Sequence, residues 1–435
     1  MLIRLLSAIF LAFATFTVFI SFQSIHDVKA ADNAQYNPDS WAVLPTVHDK
    51  KLKIEVVAEG LEFPTNMVFL GQDDILVTEK NKGTVQRIVN GKIQDTLLDV
   101  SVATRAERGL LGIAVTPNNN IIRNESTPTY VYLYFTESAS KNDSDGIRSE
   151  KSAGNSLYRY ELEGSKLSKP QLILDLPPAK GVAHNGGAII IGPDDSLYIP
   201  IGDGDGHTTM AQNVIDGGPP DGTGGILTFN PDELSYNNLT NHIGDKIKYY
   251  AYGIRNSFGL DFDPITGYLW DTENGNNDND EINLVEPGFN SGWLKIQGKS
   301  TPDFDSSDLV TFDGFGKYSD PEFSWLHTVG PTKIKFLNSD KLGKQYENDI
   351  LVADVKYGKI YHFELNENRD DLILSGKLED KVADSDEETK EITFASGFGG
   401  ITDLKIGPDG YLYVLSFGHG KIYRIQAETD SNVQN

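Results

Sequence analysis

Two stretches near opposite ends of the body of this chain follow the same plan. Residues 67–91 read MVFLGQDDILVTEKNKGTVQRIVNG, and residues 403–425 read DLKIGPDGYLYVLSFGHGKIYRI. Each is a strand, a turn with Asp, a second strand, a turn with Gly, and a third strand with Arg-Ile. Weaker copies occur at 189–202, 260–273 and 350–363. Repeated units with similar first and last copies are typical of a closed β-propeller. The sequence predicts an all-β, six-bladed β-propeller with long loops.

The propeller is expected to span residues 51–426, after a linker at 32–50 and before a disordered polar tail at 427–435. Two polar insertions, at 138–152 and 377–389, are predicted to be solvated loops. No amphipathic helix of convincing length interrupts the strand-like runs. The body therefore reads as one all-β domain.

Residues 1–31 have the features of a signal peptide. Arg4 precedes an apolar run over residues 5–22, and Val28-Lys29-Ala30 offers a small-residue cleavage site. An uncleaved anchor is the alternative, because the apolar run is nearly long enough to span a bilayer and would tether the protein. Both readings predict a secreted or extracytoplasmic body. Sequons at Asn124, Asn142 and Asn238 fit that location.

Charge and cysteine content exclude several functions. The net charge of −25 argues against nucleic acid and anionic membrane surfaces as partners, and it suits cation binding and neutral substrates. The absence of cysteine excludes disulfides, thiolate metal sites and cysteine catalysis.

A candidate catalytic site lies in residues 181–206, GVAHNGGAIIIGPDDSLYIPIGDGDG. Gly192-Pro193-Asp194-Asp195 between two apolar runs predicts a β-hairpin. His184 and Asp203 flank this hairpin, so they are expected to meet in space. A histidine beside an aspartate is the minimum required for a general base.

Four further segments carry polar groups in unusual density: 107–112, 252–259, 273–283 and 354–358. Residues 273–283 place several carboxylates and amides in one loop, which suits Ca²⁺. This loop lacks the spacing of an EF-hand, so an ordinary Asn/Asp-rich turn remains open.

The motifs GLEFPTNMVFL, ILVTEKNKG, GLLGIAV, VYLYFTE, HNGG, GPDDSLYIPIGDG, YGIRNSFGL, DEINLV and NSGW occur in this order. Over residues 55–425 the chain resembles the glucose/sorbosone dehydrogenase family. That family comprises soluble six-bladed propellers that oxidise aldoses with pyrroloquinoline quinone (PQQ). The resemblance therefore implies a small-molecule sugar substrate, PQQ and Ca²⁺ as cofactors, and an external electron acceptor.

The resemblance also implies roles for particular residues. His184 matches the general base, and Asp203 matches the carboxylate that orients it. Arg255 and Asn256 match residues that contact the quinone carbonyls, so Arg255 is a catalytic as well as a cofactor-binding candidate. Lys356 matches a lysine that pairs with a cofactor carboxylate. The remaining implied positions are calcium ligands: the carbonyls of Gly275 and Asn276, with Asp280 and Glu281 nearby.

The chain departs from the family pattern at the cofactor-binding positions. Gly400 and Thr402 stand where the family has the two arginines of an Arg-x-Arg-Asp segment, and Glu107 replaces a common glutamine. Because PQQ carries three carboxylates, these changes predict weaker or altered cofactor binding.

Two other functions remain open at this stage. One is a non-catalytic propeller that binds a glycan or a protein at its central mouth. The other is a calcium-dependent lactonase, which would require several side-chain oxygens to converge on one ion in the channel.

Overall fold

The computed structural model describes residues 43–116, 128–140, 142–144, 154–233, 243, 244 and 246–428. The predicted signal segment, the sequons at Asn124 and Asn238, and most of the insertion at 138–152 lie outside the described residues. Within those residues, no helix is long and apolar enough to cross a membrane.

The β-propeller prediction is confirmed, and the described strands form six sheets. Sheets 1 to 6 are numbered here by the chain order of the strands that begin at Pro64, Leu110, Ile190, Ser257, Pro331 and Ile401, and each of these is called the first strand of its sheet. Sheet 1 contains Pro64–Gly71, Asp74–Glu79, Thr84–Val89 and Lys92–Asp99. Sheet 2 contains Leu110–Val115, Tyr130–Glu137, Gly154–Glu163 and Lys166–Asp175. Sheet 3 contains Ile190–Ile191, Leu197–Ile201, Gly225–Phe229, Lys248–Tyr252, Phe289–Asn290 and Lys317–Tyr318.

The other three sheets follow the same antiparallel order, with short strands added at their edges. Sheet 4 contains Ser257–Phe262, Leu269–Glu273, Asp278–Val285, Phe323–His327 and Val382–Ala383. Sheet 5 contains Pro331–Phe336, Ile350–Asp354, Ile360–Leu365, Leu372–Ile373, Thr393–Ser396 and Thr46–Val47. Sheet 6 contains Ile401–Ile406, Leu412–Ser416, Lys421–Ala427 and Leu52–Glu59.

Six hydrophobic clusters join the sheets into a closed ring. Each cluster lies between two consecutive sheets, from sheets 1 and 2 through sheets 5 and 6. The last cluster packs Tyr413 and Ile422 of sheet 6 against Met67 and Val77 of sheet 1. The ring is also closed by the chain itself, because the early strand Leu52–Glu59 pairs with the final strand Lys421–Ala427. No sheet face in the ring is left without an apolar neighbour.

Helical structure in the described residues is short. The 3-10 helices are Met210–Gln212, Pro231–Glu233, Ser306–Asp308, Phe312–Gly314, Lys344–Tyr346 and Gly376–Asp380. The α-helix Asp386–Glu391 begins at Ser385, whose hydroxyl accepts a hydrogen bond from the backbone N–H of Glu388.

Two boundary predictions are wrong. The insertion at 377–389 is not a plain loop. It contains parts of the helices Gly376–Asp380 and Asp386–Glu391, and between them a strand, Val382–Ala383, that pairs in parallel with sheet 4. The predicted linker 32–50 contributes Thr46–Val47 to sheet 5. In both places the strand completes the outer edge of an existing sheet, a tertiary contact that a polar local sequence does not reveal.

The first strand of five sheets carries a β-bulge at the same position. In sheets 1, 2, 4, 5 and 6 the pairing with the second strand skips the second residue of the first strand. The skipped residues are Thr65, Leu111, Phe258, Thr332 and Thr402. A bulge bends a strand and redirects side chains. Here it does so where each first strand begins.

Three of these bulged residues are threonines that connect neighbouring sheets. The Thr332 hydroxyl donates to the carbonyl of Ile401 at 2.6 Å, Thr402 donates to Pro64 at 2.8 Å, and Thr65 donates to Leu110 at 2.7 Å. The three hydrogen bonds run in one direction around the ring, from sheet 5 through sheets 6 and 1 to sheet 2.

Candidate functional site at the mouth of the ring

The predicted site residues gather at one end of the ring. Every first strand begins at this end and every second strand ends there, so the loops beside these ends lie together. We call this end the mouth. The residue immediately before the first strand is Phe63 in sheet 1, Gly109 in sheet 2, Asn256 in sheet 4, Gly330 in sheet 5 and Gly400 in sheet 6.

The structure brings His184 and Asp203 together, as the hairpin predicts. The Nδ1 atom of His184 lies 2.6 Å from Oδ1 of Asp203. The intervening hairpin pairs Ile190–Ile191 with Leu197–Ile201, so both residues are held at its open end. Asp203 is buried, and the His184 side chain is only 12% exposed. A bond from Nδ1–H to Asp203 directs Nε2, the other ring nitrogen, away from that carboxylate.

Asp203 is held as a carboxylate by several donors. Burial acts to raise the pKa of Asp203, but hydrogen bonds from His184, Trp293 and the backbone N–H of Asp205 hold it below its ordinary value. The Trp293 indole N–H donates to Oδ2 at 2.9 Å, and the Asp205 N–H donates to Oδ1 at 2.9 Å. Asp203 is therefore ionised at neutral pH.

Glu107 lies within the site rather than at its edge. Its carboxylate accepts the backbone N–H of His184 at 2.5 Å and the amide Nδ2 of Asn256 at 3.3 Å. These bonds link the loop before sheet 2 to residues of the loops before sheets 3 and 4. The predicted cofactor-binding residues Glu107 and Asn256 are thus in direct contact with each other.

Arg255 is fixed by backbone carbonyls beside this group. Its Nη1 donates to the carbonyls of Asn274 and Gly275, both at 2.8 Å, and its guanidinium lies 5.4 Å from the centre of the Trp293 ring. Burial lowers the pKa of Arg255, while the nearby carboxylates of Asp203 and Glu107 act to raise it. An arginine remains charged under these conditions, so the mouth holds a fixed cation.

The predicted calcium ligands do not form a calcium site. The Gly275 carbonyl is occupied by the cationic Arg255, as just described. Both oxygens of Asp280 accept backbone N–H groups, from Gly275 at 2.8 Å and from Val329 and Gly330 at 2.6 and 2.7 Å. Among the described residues, no group of three or more His, Asp or Glu side chains is arranged to hold a metal ion. This arrangement does not fit Ca²⁺ at these positions.

The remaining predicted ligands have structural contacts as well. Glu281 accepts the backbone N–H of Gly298 at 2.5 Å, and the Asn276 N–H donates to Gln297 at 2.9 Å. Asn and Asp oxygens in such loops commonly accept backbone N–H groups, as Asp280 does here from Gly275.

Sequence reasoning missed a group of buried carboxylates beneath Arg255. Asp271 and Glu273 lie on one strand of sheet 4, opposite Asn283 and Glu281 on the next. Burial raises the pKa of Asp271 and of Glu281 to about 7, and burial next to Glu281 raises that of Glu273 well above its ordinary value. Acidic or amide residues at every second position of two paired strands were the available signal.

The arginine positions of the family pattern have structural uses here. Gly400 has φ +85°, and a Cβ added to it would lie 2.8 Å from the carbonyl oxygen of Val355. Thr402 provides the hydroxyl that connects sheet 6 to Pro64. Lys356 is retained, but its ammonium donates to the carbonyl of Thr328 at 2.8 Å. Gly400 and Thr402 supply no cation to the mouth. Lys356 supplies one, and N–H groups of its ammonium other than the one bonded to Thr328 can still donate to a ligand.

Two buried polar atoms on the other side of the mouth have no protein partner. These are Nε of Arg255 and Oδ1 of Asn256. Buried polar atoms are nearly always paired, so the Nε–H of Arg255 fits an acceptor such as a quinone oxygen, whereas Oδ1 of Asn256 fits a hydrogen-bond donor of a ligand. The sheet 3 and 4 side of the mouth therefore fits the reactive end of PQQ, whereas the sheet 6 side lacks the arginines that would hold its carboxylates.

The fold and the site define a β-propeller with a histidine–carboxylate pair and a fixed arginine at the mouth of its ring. The chain belongs to the glucose/sorbosone dehydrogenase family, whose family model matches residues 61–424. Quinoprotein glucose dehydrogenase B of Acinetobacter calcoaceticus is 25% identical over 463 residues, covering 89% of each chain. An aldose sugar dehydrogenase of Escherichia coli is 23% identical over 391 residues, covering 86% of this chain and 91% of the relative.

Among solved structures, the PQQ-bound aldose sugar dehydrogenase of Streptomyces coelicolor superimposes with a TM-score of 0.60. It is 23% identical, and the match covers 87% of this chain and 99% of that one. At this identity the likeness establishes the fold.

Proposed function

We propose that this protein is an extracytoplasmic, quinone-dependent dehydrogenase that oxidises a hydroxyl group of an aldose sugar. The observation that carries the proposal is the 2.6 Å contact between His184 and Asp203 beside Arg255. The family match and the names of the relatives support the sugar and quinone classes.

His184 is the general base of the proposed reaction. Because Asp203 holds the proton on Nδ1, the Nε2 lone pair can accept the proton of the sugar hydroxyl. The imidazolium that forms is stabilised by the ionised Asp203. PQQ, when bound, would supply the two-electron oxidant that accepts hydride from the same sugar carbon, giving a carbonyl product, and an external acceptor would be needed to reoxidise it.

Arg255 and Asn256 would hold the quinone at its reactive end. The unpartnered Nε of Arg255 is a donor from a fixed cation, which favours the negative charge that develops on an oxygen during reduction. Burial strengthens this effect, since the surrounding dielectric is low. No role for calcium at Gly275, Asn276, Asp280 and Glu281 enters this mechanism.

A second candidate function is a propeller that binds a glycan without catalysis. Gly400 and Thr402 favour it, because the anionic edge of PQQ would face a side of the mouth that lacks the family's two arginines. The lactonase alternative is not proposed, since the described carboxylates do not converge on an ion in the channel.

Reconstitution of the purified protein tests the proposal. PQQ is titrated with and without added Ca²⁺, binding is followed by tryptophan fluorescence, and dye reduction is measured with a panel of aldoses. We expect binding and turnover, with turnover lost in His184→Gln. The matched control is His362→Gln, because His362 also pairs with an aspartate, Asp349 at 2.7 Å, but lies in the third strand of sheet 5. Absence of PQQ binding at excess cofactor would overturn the proposal and favour the glycan-binding candidate.

A further inference from the structure

The Trp293 side chain contacts both Asp203, which belongs to the proposed base, and Arg255, which belongs to the proposed quinone site. Its indole N–H donates to Oδ2 of Asp203 at 2.9 Å, and the face of its ring carries the Arg255 guanidinium at 5.4 Å. Trp293 comes from the NSGW segment after sheet 3's parallel strand Phe289–Asn290, 90 residues away from Asp203 in sequence. Neither the family match nor the names of the relatives assigns it a role.

The backbone of Trp293 is held rigidly. Its N–H donates to the carbonyl of Gly253 at 3.1 Å, and its carbonyl accepts Nδ2 of Asn213 at 2.8 Å. Asn213 in turn exchanges two amide hydrogen bonds with Asn290, each at 2.8 Å, and both asparagines are buried. A buried amide pair with both bonds formed fixes the position of the chain around it. The direction of the indole toward Asp203 is therefore set by the hydrogen bonds that fix the Trp293 backbone, in addition to the side chain's own rotamer preference.

The two oxygens of Asp203 receive different donors. Oδ1 accepts His184 and the Asp205 N–H, whereas Trp293 is the hydrogen-bond donor found at Oδ2. Without the indole N–H, one oxygen of a buried carboxylate would lose its partner, and the carboxylate could rotate about its Cβ–Cγ bond. Rotation would move Oδ1 and loosen the 2.6 Å contact that sets the tautomer and orientation of His184.

We propose that Trp293 is a positioning residue: its N–H locks the Asp203 carboxylate so that His184 keeps one tautomer and one orientation, and its ring holds Arg255 beside that pair. The kinetic consequence rests on the proposed dehydrogenase function. The structural consequence, the state of the His184–Asp203 hydrogen bond, does not depend on that function.

The proton on Nδ1 of His184 gives a direct readout in the protein without cofactor. A short hydrogen bond to a buried carboxylate protects this proton from exchange and moves its NMR signal far downfield. We expect one such signal that is absent in His184→Gln, which assigns it. The pair His362–Asp349, at 2.7 Å in sheet 5, supplies an internal reference signal away from this site.

Trp293→Phe removes the N–H and keeps an aromatic face for Arg255. We expect loss or strong broadening of the His184 signal with the reference signal unchanged, and a kcat lower by about tenfold with KM within about twofold. Trp293→Leu removes both contacts, so we expect the same loss of signal together with a PQQ Kd about threefold higher than in Trp293→Phe.

Trp325→Phe is the matched control. Trp325 is buried in the cluster between sheets 4 and 5, and its indole nitrogen has no hydrogen-bond partner. This variant should lower the melting temperature, as expected for a change in the core away from the site. The His184 signal should be unchanged, and kcat should stay within about twofold of the parent value.

An unchanged His184 signal in folded Trp293→Phe would overturn the proposal, whatever the activity. If the parent protein shows the signal but no dehydrogenase activity with any aldose, the proposed function fails while the positioning role is still decided by the NMR comparison. Equal loss of signal in Trp325→Phe would also overturn it, because the effect would then follow stability and not the indole N–H.

Discussion

The two sides of the mouth differ in what they offer a ligand. On the side of sheets 3 and 4, His184, Asp203 and Arg255 form a hydrogen-bonded group with unpartnered buried atoms. On the opposite side, sheets 6 and 1 present Phe63, which is 39% exposed, with its ring centre 5.1 Å from that of Phe417. The side of sheets 3 and 4 therefore presents polar and charged groups to a ligand, whereas the side of sheets 6 and 1 presents aromatic rings.

The layers beneath the two sides differ as well. Below Arg255, burial raises the pKa values of the sheet 4 carboxylates Asp271, Glu273 and Glu281. Below Gly400, Asp403 is buried between Lys333 and Lys405, whose ammonium groups lie 3.8 and 3.6 Å away. Burial lowers the pKa of Lys333 to about 8.

This comparison separates reaction from anchoring. In the proposed function, the groups that take a proton and stabilise an anion lie on one side, while Gly400 and Thr402 on the other side are part of the ring's packing. Activity variants should therefore act on the side of sheets 3 and 4, and stability variants on the side of sheets 6 and 1.

The largest effect is expected from His184→Gln. Removal of a general base should lower kcat by about 10³-fold, within the usual range for such groups, with little change in melting temperature. Turnover with aldoses measures the first quantity, and thermal unfolding the second. A variant with more than about a tenth of parental kcat would show that another group is the base.

Asp271→Asn tests the carboxylates under the reactive side. The pKa of Asp271 is about 7 in the folded protein, above its value in the unfolded chain, so stability from this group is present at acid pH and is lost as pH rises toward 7. Asparagine does not titrate and can still accept the Asn283 amide. At about pH 8 the variant should be more stable than the parent by roughly 2–4 kcal/mol.

Chemical denaturation at several pH values measures this difference. The advantage of Asp271→Asn should shrink progressively below about pH 7 and be absent below about pH 3, where the parent carboxyl is protonated in both states. A constant difference at all pH values would contradict the raised pKa.

Gly400→Arg restores a family arginine on the opposite side. Because the backbone has φ +85° and a Cβ would lie 2.8 Å from the Val355 carbonyl, we expect the unfolding free energy to fall by about 2 kcal/mol, with no gain in PQQ affinity. Gly376→Arg is the matched control: Gly376 also has positive φ, but nothing lies within 4 Å of its Cβ position. Tighter PQQ binding by Gly400→Arg would show that this side can still anchor the cofactor.

The smallest effect is expected from Thr402→Val, which removes the hydroxyl bonded to Pro64 without changing shape. Loss of this hydrogen bond should reduce the unfolding free energy by about 1 kcal/mol and leave kcat unchanged. Thr332→Val removes the equivalent bond one sheet earlier in the ring and should cost a similar amount. A change of kcat in Thr402→Val alone would place Thr402 in the site.

The parts of the site that could be predicted from sequence are local. His184 and Asp203 are 19 residues apart, and a recognisable hairpin joins them, so turn chemistry alone brought them together. Arg255 and Asn256 were found because they lie in the motif YGIRNSFGL, which resembles that of the family. In contrast, Glu107 meets Asn256 across 149 residues, and Trp293 meets Asp203 across 90, with no local pattern to indicate either contact.

The contacts of the predicted calcium ligands likewise depend on distant segments. Composition correctly indicated oxygen-rich side chains at 273–283, but ligands are defined by which oxygens remain available. The Asp280 carboxylate accepts hydrogen bonds from the backbone N–H groups of Val329 and Gly330, about fifty residues further on. The Gly275 carbonyl accepts one from Arg255.

The sequence by itself determined the propeller, because repeated strand–turn–strand units encode their own pairing and leave each sheet an apolar face that only a neighbouring sheet can cover. It also determined the histidine–aspartate pair, since one hairpin contains both. The tertiary structure decided what surrounds that pair: which carboxylates lose water, which carbonyls meet Arg255, and that Gly400 has no room for a side chain. These outcomes depend on distances between segments far apart in the chain, and such distances are set only when the ring closes.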